Sequence, residues 1–192
     1  MTLIARVKTI LIDPTAAWPA VEKDIGDPAL LLRRYVAALA LIPPLAGFVG
    51  AALIGVVTPS GAIARASLFN GAAGAVFGYV MSCATVLLLG LIINLLAPLF
   101  GGQRDFNNAF KLAVYSFTPV WIAGIFLVLP GLHFLALLGC YGAYLLWLGL
   151  PRLTKTPEDQ VANFTAVIAA CALALLYIVG LAQRLLFGTP GL

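Results

Sequence analysis

Five long stretches of the chain contain no charged side chain, and this feature constrains the fold more than any other. Each stretch is 18 to 30 residues long. The stretches occupy residues 35–57, 71–100, 112–129, 132–150 and 161–182. At a rise of about 1.5 Å per residue, a helix over each stretch can cross a hydrocarbon layer of about 30 Å. The sequence therefore predicts five membrane-spanning segments.

The composition excludes a water-soluble globule, because 62% of the 192 residues are hydrophobic and only 9% are charged. In hydrocarbon only helices and closed barrels satisfy their backbone groups, and runs such as ATVLLLGLIINLLA lack the alternation of barrel strands. We predict an all-α, polytopic integral membrane protein whose five transmembrane helices follow short amphipathic N-terminal helices. The predicted division is a cytoplasmic interfacial segment at 1–34 and a five-span domain at 35–192, with spans at about 35–57, 71–100, 111–129, 132–150 and 161–182.

The basic residues predict the orientation. Nine of the eleven lie in the N-terminal segment, the second-to-third connection and the fourth-to-fifth connection, whereas the other side has only Arg65 and Arg184. By the positive-inside tendency, the N-terminus is cytoplasmic and the C-terminus is outside. Because these residues are spread over three short flanking segments, no nucleic-acid partner is predicted.

The first twelve residues predict an amphipathic surface helix. A signal peptide has one continuous apolar core, whereas here the apolar residues form a stripe. Asp13 and Pro14 then predict the N-cap and the first residue of a second helix. The apolar stripe of the first helix comprises Leu3, Ile4, Val7, Ile10 and Leu11, opposite Thr2, Arg6 and Thr9.

The second helix has an apolar edge made by Trp18, Val21 and Ile25. We predict that both helices lie on the cytoplasmic leaflet, with Arg6, Lys8 and Trp18 at the membrane surface and Trp18 as the interfacial anchor. A second interpretation, compatible with the first, is that they dock against the protein's own cytoplasmic loops.

Small residues recur every four positions along the second span and include a GxxxG pattern. This glycine ridge consists of Gly74, Gly78, Ser82, Val86, Gly90 and Asn94. The fifth span carries a matching alanine stripe of Ala162, Ala166, Ala170 and Ala174. Because helices in lipid associate through close van der Waals contact, both faces are predicted to be packing surfaces. They pack either within one chain or between two chains of a homodimer.

Prolines interrupt three predicted spans. Pro43 and Pro44 lie in the first span, Pro98 in the second and Pro119 in the third. Each lacks a backbone donor and crowds the carbonyl four residues earlier, which predicts a kink. The kinks have one of two roles. Either they are structural, and neighbours such as Ser116 form hydrogen bonds with the freed backbone groups, or those backbone groups bind a substrate, as in transporters.

The spans carry little polar chemistry. Asn94 is the strongest polar residue inside them, and no interior Asp, Glu, Lys or Arg predicts an ion path. Cys83, Cys140 and Cys171 lie on three different spans, so we predict no metal site and no disulfide. We find no nucleophile-and-base set and no phosphate-binding glycine loop in the sequence. We therefore predict no cofactor and no enzymatic activity.

The connection after the second span, GGQRDFNNAFKLAVYSFTP, is the most patterned polar region. Gly101 and Gly102 predict a helix stop, and Asp105 predicts the N-cap of the helix that enters the third span. Three aromatic residues then share one side of that helix. They are Phe106, Phe110 and Phe117.

These motifs together resemble the bacterial branch of the Yip (Ypt-interacting protein) family. The set comprises LIDPTAAW in the N-terminal segment, the Gly-Gly plus DF entry into the third span, YSFTP at 115–119, a Pro-Gly turn at 130–131 and YGAYLLWLGLP at 141–151. The similarity covers residues 8–182 and rests on the order and spacing of these short motifs.

The resemblance implies a five-span fold in a bacterial inner membrane with a cytoplasmic N-terminus. Eukaryotic relatives act in vesicle traffic between endoplasmic reticulum and Golgi, and several bind prenylated Rab-type GTPases through longer N-terminal regions. Because only about 34 residues precede the first predicted span here, the resemblance gives little support for binding such GTPases. It implies the fold and a membrane-organising role.

Two functional hypotheses follow. The first is a non-enzymatic inner-membrane protein that binds membrane lipids, other membrane proteins or a second copy of itself. The second is a channel or facilitator for a small solute near the proline-broken second and third spans. Convergence of the polar candidates on a wet cavity favours transport, and their dispersal into packed interfaces favours the first hypothesis. The polar candidates of this criterion are Asn94, Tyr115, Ser116, Tyr141 and Tyr144. The predicted polar or broken-helix site as a whole comprises these five and Pro98, Gly101, Gly102, Asp105 and Pro119.

Overall fold

The computed structural model describes residues 2–24, 27–57 and 62–188. Among these residues, five helices are long and apolar enough to cross a membrane. They are Pro28–Ile54, Leu68–Phe100, Phe106–Val128, Phe134–Leu153 and Glu158–Phe187. The predicted all-α, five-span fold class is confirmed. Several spans begin before the uncharged stretches do, because backbone hydrogen bonding, and not the nearest charge, decides where a helix starts.

The α-helices of the described residues are α1 (Leu3–Ile12), α2 (Pro14–Lys23), α3 (Pro28–Leu31), α4 (Ala37–Leu39), α5 (Ile42–Phe48), α6 (Leu68–Leu96), α7 (Phe106–Ala123), α8 (Tyr141–Leu153) and α9 (Glu158–Phe187). Short 3-10 or π segments join or extend them at Leu32–Val36, Val49–Ile54, Ala97–Phe100, Gly124–Val128 and Pro130–Cys140. One antiparallel pairing, β1 (Val56–Val57) with β2 (Ile63–Ala64), lies in the first-to-second connection.

The second N-terminal helix begins as predicted. Asp13 Oδ1 accepts a hydrogen bond from the Ala16 N–H at 3.1 Å, and Pro14 is the first residue of α2. The hydrogen bonds from the Ala16 backbone and the Thr15 hydroxyl lower the pKa of Asp13, so the capping carboxylate stays ionised. Ile25, predicted on the apolar edge of α2, lies outside the described residues.

The first span is broken where its two prolines predict a break. Helix α4 ends at Leu39, and α5 starts at Ile42 with Pro43 and Pro44 in its first turn. Because N–H groups in a first turn have no intrahelical acceptor, the prolines there cost no hydrogen bond.

The stop after the second span and the cap of the helix that enters the third span lie at the predicted residues. After a 3-10 turn, Gly101 adopts a φ of 73°, and the Gly102 N–H donates to the Ala97 carbonyl at 2.8 Å. Asp105 then caps α7 by accepting from the Asn108 N–H at 3.2 Å. The glycine stop and the aspartate cap are confirmed.

Helix α7 lies at the centre of the bundle. In the most apolar part of this span 67% of the residues are buried, compared with 33% or less in the corresponding parts of the other four spans. Every side chain from Ala109 to Pro119 is buried, because α7 has neighbours on all sides. Pro119 does not end the helix, which continues to Ala123.

The glycine ridge of α6 packs within the chain. A Cβ at Gly90 would lie 3.1 Å from Phe110 Cα of α7, so this glycine allows a close helix approach. Further along the ridge, Gln183 of α9 donates from Nε2 to the Gly74 carbonyl at 3.5 Å. Helices α6 and α9 are therefore neighbours.

The alanine stripe is not the face through which α9 packs on the bundle, and the prediction that it packs within the chain is wrong. Its four residues, Ala162, Ala166, Ala170 and Ala174, are exposed. Helix α9 packs through Phe164 and Ile168, which are fully buried, with the Phe164 ring stacked on Phe100 at 4.6 Å. Lipid solvates alanine and phenylalanine alike, so hydropathy does not identify the packed face. Homodimerisation through the stripe stays a prediction.

Candidate functional site: the docked N-terminal segment

Helices α1 and α2, with the turn to Asp24, form a segment that docks on the bundle through Trp18. The Trp18 side chain is fully buried, and its ring lies edge-on to Tyr115 of α7 with centroids 6.5 Å apart. Gly149 of α8 leaves room for it, since a Cβ there would lie 2.8 Å from Trp18 Cζ2. The prediction that Trp18 is the membrane anchor is therefore wrong, because its ring fills a core position between α7 and α8. The segment docks on the protein, as the second interpretation predicts, but mainly on the helices α7 and α8 and not on the connections that this interpretation named.

Arg6 also turns toward the protein. Its Nη2 forms a salt bridge with Asp24 Oδ2 at 2.8 Å, and only 18% of its side chain is exposed. The guanidinium carbon lies 5.8 Å from the centroid of the Tyr115 ring, within range of a cation–π interaction. Arg6 therefore contacts the protein, and its position at the membrane surface stays a prediction.

Lys111 is a buried charged residue at the base of this site, with 7% of its surface exposed. Its Nζ donates to the Asp24 carbonyl and, at 3.4 Å, to Asn108 Oδ1. The lysine lies inside the third spanning helix, one and a half turns from its start. A buried ammonium without acceptors is costly, so the turn after α2 supplies the oxygen that Lys111 needs.

Two predicted site residues, Tyr115 and Tyr141, hold the segment in place. The Tyr115 ring meets Tyr35 of the first span edge-on, with centroids 5.1 Å apart. The Tyr35 hydroxyl is hydrogen-bonded to Thr118 Oγ1 at 3.0 Å. On α8, the Tyr141 hydroxyl donates to the Leu11 carbonyl at the end of α1 at 3.3 Å. The first, third and fourth spans therefore all contribute to the docking site.

At the rim, the segment meets the fourth-to-fifth connection. Lys155 Nζ donates to Glu22 Oε1. This hydrogen bond lowers the pKa of Glu22, and the positive charges of Lys155, Arg152 and Lys23 add to the effect against partial desolvation. The contact is exposed to solvent, so its energy is small compared with the burial of Trp18.

Gly101 and Gly102 allow the second-to-third connection to pack against the fourth-to-fifth connection. A Cβ at Gly102 would lie 2.8 Å from the Thr154 carbonyl, and one at Gly101 would lie 3.1 Å from Pro157. Pro98 occupies the exposed 3-10 turn just before these glycines. In the structure, Pro98, Gly101 and Gly102 lie where the chain turns back between the second and third spans.

The face of α1 that points away from the bundle is open. Ile4 is 78% exposed and Ile12 is 72% exposed, and Lys8 is exposed between them. Residues four apart lie on one side of a helix, so the three side chains form one outer face. Aliphatic side chains flanking a lysine are typical of helices that contact an anionic lipid surface.

The polar residues whose convergence would favour transport are dispersed. Tyr115 and Tyr141 contact the N-terminal segment, and Tyr144 is 48% exposed. Asn94 Oδ1 and Ser116 Oγ are buried without a hydrogen-bond partner among the described residues, on separate helices. These five residues therefore do not converge on one site.

Sequence reasoning missed four residues of this site: Asp24, Tyr35, Lys111 and Gly149. Lys111 carried a signal, because a lysine next to an uncharged span requires a partner. Gly149 carried none, because glycine is common in transmembrane helices. Within 2–24, 27–57 and 62–188, no group of three His, Cys, Asp or Glu side chains could hold a metal ion.

Comparison with known proteins shows which family model and which relatives the chain matches. The Yip1 domain family model matches residues 8–181. The chain is 27% identical over 159 residues to Inner membrane protein YohC of Escherichia coli K12, covering 81% of this chain and 82% of the relative. YohC of Escherichia coli O6:H1 matches with the same identity and coverage. No solved structure matches the chain significantly.

Proposed function

The chain belongs to the Yip1 domain family, and from this premise we propose that it is a non-enzymatic inner-membrane protein that organises the membrane or binds partners at its cytoplasmic surface. The observation that supports this proposal most directly is the complete burial of Trp18. Burial makes the N-terminal segment a fixed part of the bundle. A fixed segment presents its outer face in one orientation to whatever lies beside it.

The outer face of α1 supports contact with lipid. Burying an isoleucine side chain is worth about 1.5–3 kcal/mol, so leaving both Ile4 and Ile12 in water is unfavourable. Insertion at the head-group level removes them from water. Lys8 adds attraction to an anionic surface, of about 1 kcal/mol for a basic residue near it.

The distribution of charge supports a cytoplasmic position for this face. Arg6, Lys111 and Lys155 come from the three basic segments of the sequence, and all three contact the docked segment or its turn. The basic segments therefore meet at one end of the bundle, which the positive-inside tendency assigns to the cytoplasm.

Site-specific photocrosslinking in native membranes tests the proposal. A photoreactive amino acid is placed at position 4 or 12 on the outer face, or at position 10 as the matched control, because Ile10 is fully buried on the same helix. We expect adducts with lipid or with a discrete protein partner from positions 4 and 12. From position 10 we expect links within the chain alone.

The control separates two ways in which the proposal can fail. If positions 4 and 12 give no intermolecular adduct while position 10 still links internally, the segment is docked but contacts nothing, and the proposed function is wrong. If position 10 reacts with external molecules as often as position 4, the segment is not docked.

A further inference from the structure

The N-terminal segment lies alongside the fourth span and reaches deep into the bundle. It contacts this span and the connection after it at three points, and their order along the segment matches their order along the span. From the rim inward, the contacts are Glu22 with Lys155, Trp18 with Gly149, and the Leu11 carbonyl with the Tyr141 hydroxyl. Helix α2 therefore runs parallel to α8 and not across its end.

The central helix α7 shows the same order. The Asp24 carbonyl accepts a hydrogen bond from Lys111, and the Trp18 ring meets Tyr115 about one turn further from the start of α7. Helix α1 returns toward the rim, because Arg6 forms its salt bridge with Asp24. The turn between α1 and α2 is therefore the deepest part of the segment.

This turn lies near the middle of the membrane. The fourth span, Phe134–Leu153, has 20 residues, which is about the number needed to cross a hydrocarbon layer of about 30 Å. Both of its ends must therefore lie at the membrane boundaries. Tyr141 is the first and Leu153 the last of the 13 residues of α8, so Tyr141 lies about 18 Å from the boundary at Leu153. Its side chain leans toward the start of the helix, which is farther still from that boundary.

The turn carries polar groups that hydrocarbon does not accommodate. Asp13 and Thr15 are both exposed. Asp13 Oδ1 accepts hydrogen bonds from the Ala16 N–H at 3.1 Å and from the Thr15 hydroxyl at 2.8 Å. Among the described residues, no basic side chain forms a salt bridge with Asp13. An exposed carboxylate without a countercharge requires water, which the hydrocarbon of a flat bilayer does not supply.

We propose that phospholipid head groups and water follow the outer face of α1 into the cytoplasmic half of the bilayer, as far as Asp13 and Thr15. Lys8 is exposed on α1 before this turn, and it supplies a cation for the head-group phosphates. The bilayer beside the segment is then locally thinned, a deformation that membranes allow at modest cost. The inference rests on the proposed function, because it requires lipid beside α1, and it identifies the head group as the part of the lipid that binds.

Fluorescence quenching in vesicles of phosphatidylethanolamine and phosphatidylglycerol tests the inference. In the full-length chain with its three native cysteines replaced by alanine, a bimane label is attached to a Thr15→Cys or a Leu88→Cys variant. Leu88 is the matched control, because it lies near the middle of the second span and is 44% exposed. The vesicles contain phospholipids with a nitroxide quencher either on the head group or near the end of an acyl chain.

The two positions should respond to different quenchers. We expect the head-group nitroxide to quench the label at position 15 about fivefold more strongly than the label at position 88, because head groups stay out of hydrocarbon at an ordinary lipid-facing site. The chain-end nitroxide should show the opposite preference. The internal photocrosslink from position 10, repeated in the same vesicles, verifies that the segment is docked, and its loss would overturn the inference.

A further pair of variants tests the role of the carboxylate. Asp13→Asn keeps a side-chain oxygen for the cap but removes the charge, so it should reduce the head-group quenching at position 15 by about twofold or more. Asp105→Asn makes the same change at the exposed cap of α7, in the second-to-third connection. It should leave the quenching at position 15 unchanged.

Three quenching results would overturn the inference. The first is stronger quenching at position 15 by the chain-end nitroxide than by the head-group nitroxide, which would leave lipid contact, and so the proposed function, intact. The second is equal head-group quenching with Asp13 and with Asp13→Asn. The third is no quenching at position 15 by either lipid while position 88 is quenched, which would mean that lipid does not reach the segment and would refute lipid contact as well.

Discussion

A single residue, Trp18, illustrates how one sequence pattern fits two environments. An indole at the apolar edge of a short helix is equally typical of a membrane interface and of a core position. The structure decides between them, because Gly149 and Tyr115 form a site of the right shape on the bundle. Trp18 acts here through apolar packing, since the indole N–H has no partner among the described residues.

Replacing Trp18 should therefore release the N-terminal segment. Trp18→Ala is expected to destabilise the folded protein by about 3–5 kcal/mol. Trp18→Phe should cost much less, because it keeps most of the apolar volume and removes an unpaired donor. Thermal unfolding and limited proteolysis of residues 2–24 measure both effects. Trp147→Ala is the control, as that side chain is 47% exposed, and protease resistance of Trp18→Ala equal to wild type would refute docking.

The ion pair at the rim gives the docked segment a pH dependence. Because Lys155 lowers the pKa of Glu22 in the folded state, the pair stabilises docking above the ordinary Glu22 pKa of 4.5. That stabilisation is lost as the pH falls through the lowered folded value. In the wild-type protein, proteolysis of the segment should therefore become modestly faster as the pH falls below 4.5 and through the lowered folded pKa of Glu22. The Glu22→Gln variant should not show this increase in the proteolysis rate. An identical pH profile in the two proteins would contradict the prediction.

At the level of elements, the contact between α7 and α8 depends on a glycine. A Cβ at Gly142 would collide with the Ser116 carbonyl of α7. The obstacle is backbone, which cannot move aside as a flexible side chain can. Pro119 lies one turn further along the same central helix. The position at which α8 crosses α7 is thus set by the absence of a side chain.

The variant Gly142→Ala should therefore destabilise the bundle by about 1–3 kcal/mol, because the helices must separate. Gly180→Ala is the matched control, since a Cβ at Gly180 in α9 has no atom within 4 Å. The control should be neutral or stabilising by up to about 1 kcal/mol, because alanine favours a helix over glycine. Melting temperatures in the same detergent compare the two. Equal loss in both would show that helix propensity, not the α7 contact, is responsible.

For the whole molecule, five candidate spans predict that the two ends of the chain lie on opposite sides of the membrane. The docked segment brings the three basic regions together at one end, and Arg65 and Arg184 lie at the other. A charge difference of this size is enough to orient a small membrane protein during insertion.

Reporter fusions check the orientation. Alkaline phosphatase fused after Leu192 should be active, because it folds only outside the cytoplasm, and a fluorescent protein at the same position should be dark. A fusion truncated after Arg104, in the second-to-third connection, is the control and should show the reverse. Fluorescence from the fusion after Leu192 would contradict the proposed topology.

The sequence by itself determined the features that depend on neighbouring residues and on transfer into lipid. These are the five spans, the break before Pro43, the stop at Gly101 and the caps at Asp13 and Asp105. Each follows from local backbone hydrogen bonding or from the cost of exposing polar groups to hydrocarbon.

Only the tertiary structure decided where Trp18 lies, which oxygen pairs with Lys111, and which face of α9 is buried. The dispersal of Asn94 and Ser116 was also decided there. The physical reason is that lipid solvates apolar side chains about as well as protein does, so burial carries little sequence signal inside a membrane. Contacts then depend on the fit between surfaces that are distant in the chain, and that fit exists only after the helices assemble.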